Sequence, residues 1–428
     1  MTHELVALLN GREIGRIHRD KRGRLSFVYA EDWRRAREAH PLSLSMPIAA
    51  VKHGHAVTEA FLWGLLPDNE AILSQWARKF HVSARNSFAL VSQVGEDCAG
   101  AVQFVRPERL EACLSAKAEP VEWLDEHAVA ERLRLLQADP SAWRMLRDTG
   151  QFSLTGAQPK TALFFKNGRW GVPSGRTPTT HILKPPTGTF DGHAENEHFC
   201  LILARRLGLP TAASAIVRFE DQTAIVIERY DRRRIEGQIL RIHQEDVCQA
   251  LGVPPTQKYE NEGGPGAKAI IALLRTHSSD QEADVSTFLD ALAFNWLTAA
   301  TDEHAKNYSL LIGSAGHVRL APLYDLASAL PYNDMHFQKL KLAMKIGPDY
   351  RLRDIGEREW RRLAENIRSD PDALLQRITD LAARLPDEAA TLRDRLRSEG
   401  LHHRVIQRLC ESLSARAAHC SKTLKRSA

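Results

Sequence analysis

This 428-residue chain has six cysteines, Cys98, Cys113, Cys200, Cys248, Cys410 and Cys420, but no CxxC pair. Scattered in this way they support neither a zinc knuckle nor a disulfide framework. No run approaches the roughly 18 apolar residues that a bilayer-spanning helix needs, and the N-terminus has no basic region followed by an apolar core. A reducing, cytoplasmic setting with no membrane is expected. Glycine and proline, at 25 and 20, are too sparse for a low-complexity chain. The net charge of +5 permits contact with nucleic acid or an acidic protein and demands neither. GxxxxGK[ST] is missing, and so are the strings H-R-D and D-F-G, so the common phosphotransfer motifs are absent as written.

What is present centres on residues 298–328. Val285, Phe288, Leu289, Leu292 and Trp296 fall at helical spacing. A polar loop follows, with Asp302, His304, Lys306 and Asn307 within six residues, then a short apolar run from Tyr308 to Ile312, a turn, and Asp325. Carboxylates beside apolar segments are costly unless paired or metal-bound, so the order asks for a divalent cation with phosphates. In protein kinases an Asp that takes the hydroxyl proton stands five residues before an Asn that holds magnesium, with a further acidic ligand after a hairpin. Asp302, Asn307 and Asp325 keep that interval. A capping loop, with Asp302 capping and Asn307 turning, also fits these residues alone.

At 428 residues the chain exceeds what one core usually serves, so two or three units are expected. Glycines at 11, 15 and 23 punctuate a small antiparallel sheet over residues 3–30, and PLSLSMP (41–47) suggests a further strand or extended edge. Helical patterns run from Thr58 to Phe80, through SFALVSQVG, and most clearly over 128–147. LTGAQPK reads as a glycine turn, TALFFKNGRW as a hairpin around Asn167–Gly168, and THILK as a strand ending in Lys184. That is the order of parts in a kinase nucleotide lobe. Residues 193–210 form a helix that starts with Glu195, Asn196 and Glu197, one of whose acids could face Lys184. Residues 213–232 form a second hairpin ending in a hinge at Glu228, Arg229 and Tyr230. A short helix at 243–253, a polar glycine-rich loop at 254–266, a strand-like run near 336–347 and helices from about 354 to 424 complete the chain, with a basic surplus in its last thirty residues.

The strings SLTGAQPKTAL, PTTHILK, NEHFCLILARRLGL, ERYDR, HQEDVCQALG, TDEHAKNYSL and LAPLYDLASA together resemble the HipA family of serine/threonine-protein kinases, the toxins of bacterial toxin–antitoxin pairs. PLSLSMP and FLWGLLPDN extend the likeness over nearly the whole chain. The resemblance implies an α+β, protein-kinase-like two-lobed fold: an N-terminal α/β subdomain (1–106), a nucleotide-binding lobe (107–232) and a mainly helical catalytic lobe (233–428). By position it makes Asp302 the catalytic aspartate, with Lys306 and Asn307 beside it. Asn307 and Asp325 become the Mg2+ ligands. Leu154, Thr155, Gly156, Ala157, Gln158 and Lys160 form the phosphate loop. Lys184, His304 and the hinge Glu228–Tyr230 serve ATP, and Ser153 is the autophosphorylated serine. Pro159 stands where the family commonly has Glu, which suggests a stiffer loop. The implied partners are a helix-turn-helix antitoxin of the HipB type, operator DNA through that antitoxin, and a protein substrate such as an aminoacyl-tRNA synthetase. A small-molecule kinase, a nucleic-acid-associated regulator and a pseudokinase scaffold are the competing readings.

Overall fold

A computed structural model describes residues 3–115, 121–139, 142, 153, 155–156, 158–174, 177–186, 190–332 and 334–425. The chain divides into two compact units. The first holds residues 1–185, 217–256 and 309–318, and the second 186–216, 257–308 and 319–428.

The first unit is built on two sheets. Strands Glu4–Leu9, Arg12–Arg19 and Leu25–Tyr29 form the expected meander, joined by Val102–Val105 on the far side of the first strand. Leu5, Ala7, Ile17 and Phe27 bury one face against helices His55–Gly64 and Ser87–Val94. The second sheet carries the nucleotide-lobe pattern. Thr161–Lys166 turns through Asn167 and Gly168, both at positive φ (52° and 75°), into Arg169–Val172. A two-residue turn with both centres left-handed matches the twist of the strands it joins. His181–Lys184 lies between Thr161–Lys166 and Gln222–Glu228.

Three local expectations change. Residues 41–47 make a turn with a single Ser43–Met46 bridge, not a strand. Its carbonyl and amide groups bond the Tyr29 hydroxyl: Leu42 N donates to it and Met46 O accepts from it. The helix from Thr58 breaks after Gly64 because Pro67 cannot donate an amide, and Asn69 caps a second helix, Glu70–Phe80. Residues 243–253 begin as a strand, His243–Asp246, paired with Ser309–Ile312. Only Val247–Ala250 is helical, started by an Asp246–Gln249 capping box. The helix expected at 128–147 runs Glu126–Ala138; residues 140–141 and 143–147 lie outside the described residues.

The second unit is mainly helical. Helices His193–Arg206, Gln281–Thr298, Glu357–Asn366, Pro371–Ser398 and Arg404–Thr423 pack around Phe288, Trp296 and Trp360, with a hairpin, Lys341–Ile346 and Asp349–Arg351, set into them. The helix Ala267–His277 adds a buried stripe of Ile270, Ile271 and Leu274 that the polar reading of the preceding loop hid. Among the described residues no helix is long and apolar enough to cross a membrane.

Candidate active site

The loop after helix Gln281–Thr298 is closed by its own backbone. Ala299 leaves the helix at φ 51°, a left-handed conformation that costs a non-glycine residue roughly 1–2 kcal/mol. His304 N donates to Asp302 O at 2.8 Å and Asn307 N to His304 O at 2.9 Å. The Asn307 amide then reaches back to Asp302 O at 3.2 Å. The five-residue interval read from the sequence is thus a tight loop in which the Asn307 side chain meets the Asp302 main chain. His304, Lys306 and Asn307 are buried in it.

The acidic loop is tied to this one at several points. Tyr324 donates its hydroxyl to Lys306 O at 2.7 Å. Leu323 exchanges main-chain bonds with Pro210 and Ala212. Asn196, in the first turn of helix His193–Arg206, grips Ser328 twice, donating to its carbonyl at 2.7 Å and accepting its amide at 3.1 Å. The Ser328 hydroxyl donates to Thr298 O, and Ala329 N to Ala299 O. Held between these anchors, Asp325 takes φ 62°. Strained backbone that the surroundings over-determine is a mark of functional sites.

The charge here is concentrated. Glu303, buried beside Asp302, has its carboxyl pushed well above the usual range, first by burial and then by Asp325 and Asp302, against an opposing hydrogen bond from Asn307. A carboxyl set crowded like this suits a cation. Its donors are hard oxygens. Among the described residues no group of three or more His, Cys, Asp or Glu is arranged to cage a metal alone. Mg2+ commonly binds through one or two carboxylates plus substrate phosphates, so Asn307 and Asp325 fit it.

In the first unit the glycine turn is pinned. Ser153 is fully buried; its hydroxyl donates to Leu65 O at 2.5 Å and its amide to Asp97 O at 2.9 Å. Gly156 sits at φ 94°, where a Cβ would come within 2.7 Å of Lys160 Nζ. Its carbonyl accepts from Asp68 N. Lys160 Nζ donates to Thr155 O at 2.6 Å. Gln158 Nε2 is buried with no hydrogen-bond partner among the described residues, a donor that a phosphate oxygen would satisfy. Leu154 and Ala157 lie outside the described residues. Lys184 is buried on its strand opposite Ile225.

At the hinge, Glu228 is exposed and pairs with His181. Arg229 and Tyr230 turn their side chains inward, to Asp231 and to Gln244. Three residues with a part in the site were not legible as such: Glu303, Asn196 and Tyr259, whose hydroxyl donates to Asp302 Oδ1 at 2.6 Å. Glu303 stood in plain view between Asp302 and His304, but burial is a property of the fold.

Comparison with known proteins decides the family. The HipA-like C-terminal domain matches residues 152–389 and the HipA N-terminal domain residues 5–105. The chain belongs to the HipA family. It is a serine/threonine kinase of that family's toxin type. A putative kinase of Sinorhizobium fredii is 35% identical over 412 residues, covering 95% of this chain and 96% of that protein. The serine/threonine-protein kinase toxin HipA of Shewanella oneidensis is 31% identical over 379 residues, covering 85% and 82%. The solved Shewanella oneidensis toxin–antitoxin complex of HipA, HipB and operator DNA superposes with a TM-score of 0.82 at 27% identity over 97% of both chains. The HipA-family chain therefore has the two-lobed kinase-like fold, with a mixed α/β N-lobe and a helical C-lobe.

Proposed function

We propose that this HipA-family kinase uses Mg-ATP to phosphorylate a cytoplasmic protein and itself, and arrests growth until a HipB-type antitoxin neutralises it. The observation that carries the reading is the joined pair of loops: the Asn307 amide closed on the Asp302 carbonyl, and Asp325 held at positive φ by anchors to the same loop. Asp302 accepts the proton of the acceptor hydroxyl. Lys306 lies within its loop. Asn307 and Asp325 would hold the metal, which when bound would offset charge on the phosphates. Lys184, Lys160, Gln158 and the Thr155–Gly156 main chain bind phosphate oxygens, with Leu154 and Ala157 completing that loop. The Glu228–Tyr230 main chain faces the base, and His304 lines the nucleotide side.

Ser153 is the self-modified residue. Buried as it is, it can be phosphorylated only after the loop leaves its place against Leu65. The added −1.5 to −2 charges would then oppose its return beside the nucleotide phosphates. The antitoxin, and operator DNA through it, are assigned from the complex formed by the Shewanella oneidensis relative; an aminoacyl-tRNA synthetase is the proposed substrate class.

The test is to incubate purified wild-type and Asp302→Asn protein with γ-labelled ATP and Mg2+ and map the label by mass spectrometry, alongside growth on overproduction. Wild type should carry label at Ser153 and arrest growth. Asp302→Asn should lose about 10²–10⁴ in rate, keep its fold and relieve the arrest. Arrest that survives Asp302→Asn would overturn the reading.

A further inference from the structure

A carboxylate that accepts a substrate proton has two oxygens to present, and one of those on Asp302 is already engaged. Tyr259 donates its hydroxyl to Oδ1 at 2.6 Å. Its ring meets the His304 imidazole edge-on, with centroids 4.9 Å apart. One residue earlier, Lys258 O accepts from Ala305 N at 3.3 Å. The turn that carries Tyr259 thus touches the catalytic loop at three residues: Asp302 by the hydroxyl, His304 by the ring and Ala305 by the main chain.

That turn is built rather than slack. A Cβ on Gly264 would fall 1.9 Å from Gln257 O, and one on Gly266 would fall 2.2 Å from the Glu260 carboxyl group. Only glycine permits the first, where the neighbour is main chain; the second sets Gly266 against the far end of the Glu260 side chain. Glu260, next to Tyr259, accepts Lys345 N at 2.8 Å and pairs with Lys345 Nζ at 3.4 Å. Tyr259 is therefore held between the catalytic loop on one side and strand Lys341–Ile346 on the other. Its placement is set by the turn and not by Asp302 alone.

We infer that Tyr259 is a positioning residue for phosphotransfer, fixing the rotation of the Asp302 carboxylate through Oδ1 so that Oδ2 is left for the acceptor hydroxyl. Without it, the carboxylate is free to turn about its Cβ–Cγ bond, and the productive orientation becomes one of several. A base must lie within hydrogen-bond reach of the proton it takes, so the loss falls on turnover and not on nucleotide binding. The inference rests on the assignment of Asp302 as that base.

The test uses the full-length chain with γ-labelled Mg-ATP, following transfer of label and release of ADP, in wild type, Tyr259→Phe, Asp302→Asn and the double variant. Tyr259→Phe keeps the ring on His304 and removes only the hydroxyl. It should lower kcat about tenfold, the worth of one hydrogen bond to a charged group. The KM for ATP and the melting temperature should stay at wild-type values. In the Asp302→Asn background the same change should have no further effect, because there is no carboxylate left to orient. Wild-type kcat in Tyr259→Phe, with Asp302→Asn inactive, would overturn the inference and leave the base intact. A matching fall in kcat and rise in KM would make the residue structural and overturn it as well. Full activity in Asp302→Asn, or none in wild type, would remove the base assignment and this inference with it.

Discussion

Asp97 and Glu303 are both carboxylates shut away from water, and their surroundings drive them in opposite directions. Asp97, in the first unit, is met by arginines. Arg232 and Arg241 reach it at 2.9 and 3.2 Å, Arg229 at 3.6 Å, and Thr179 donates both its amide and its hydroxyl. Burial alone would raise its pKa, but these partners outweigh burial and hold it below the usual range. Asp231 completes the cluster, bonded to Arg229, Arg232 and the amide of Gly100. Glu303, in the second unit, is raised well above the usual range first by burial and then by other carboxylates, Asp325 and Asp302, instead of being met by arginines. The first arrangement is complete without a ligand. The second would be stabilised by a cation. Two buried acids in one chain thus meet opposite surroundings, and the strongly perturbed one beside Asp302 marks a candidate functional position.

The sharpest way to break the contrast is to remove each acid. Asp97→Ala takes one carboxylate from three buried arginines, two of which, Arg229 and Arg232, keep Asp231, and loss of one partner of such a cluster typically costs about 3–5 kcal/mol. A large fall in melting temperature by calorimetry is expected. Glu303→Gln, which resembles the protonated acid in shape, should melt close to wild type. Equal losses in the two variants would erase the distinction.

A smaller effect sharpens it within the first unit itself. Glu245 is buried there with no arginine among the groups acting on it, and burial pushes its carboxyl up to about 8 from 4.5, despite the amide of Leu44 donating to it at 2.7 Å. Its folded pKa lies above its unfolded one, so between those values the folded state holds the extra proton. Its contribution is fully present below about 4.5 and is lost as pH rises through about 8, at roughly 1.4 kcal/mol per pH unit at most. Asp97 has the opposite sign: its contribution is present at neutral pH and is lost as pH falls below the ordinary carboxylate range. Thermal melts from pH 5 to 8 should therefore show a falling component that Glu245→Gln removes. An unchanged slope in that variant would show that Glu245 stays ionised.

Much of the site was legible because its signals are local. The Asp302–Asn307 interval is a loop length, Asn167–Gly168 is a turn type, and the stripe Val285, Phe288, Leu292, Trp296 is a helix face. The Asp97 cluster was not legible, since it joins residues more than 130 positions apart, and no spacing announces such a pair. Residues 243–253 read as one short helix, yet His243–Asp246 is a strand made by pairing with Ser309–Ile312, and the Asp246–Gln249 capping box starts the helix only at Val247. The ribbon Arg232–Ile235 with Gln238–Arg241 was missed for a related reason, since only its pairing makes it a sheet. Tyr259 lay in a stretch whose glycines suggested slack, whereas Gly264 and Gly266 are there to let backbone and side chain approach closely.

On this reading the second unit's carboxylates serve a metal-bound nucleotide. Calorimetric titration of ATP tests it most directly, in Mg2+ and in excess chelator, with wild-type and Asp325→Asn protein. The account predicts strong binding by wild type only with Mg2+, and loss of that metal dependence in Asp325→Asn while the protein stays folded. Equal affinity in Mg2+ and in chelator for the wild-type protein would contradict it.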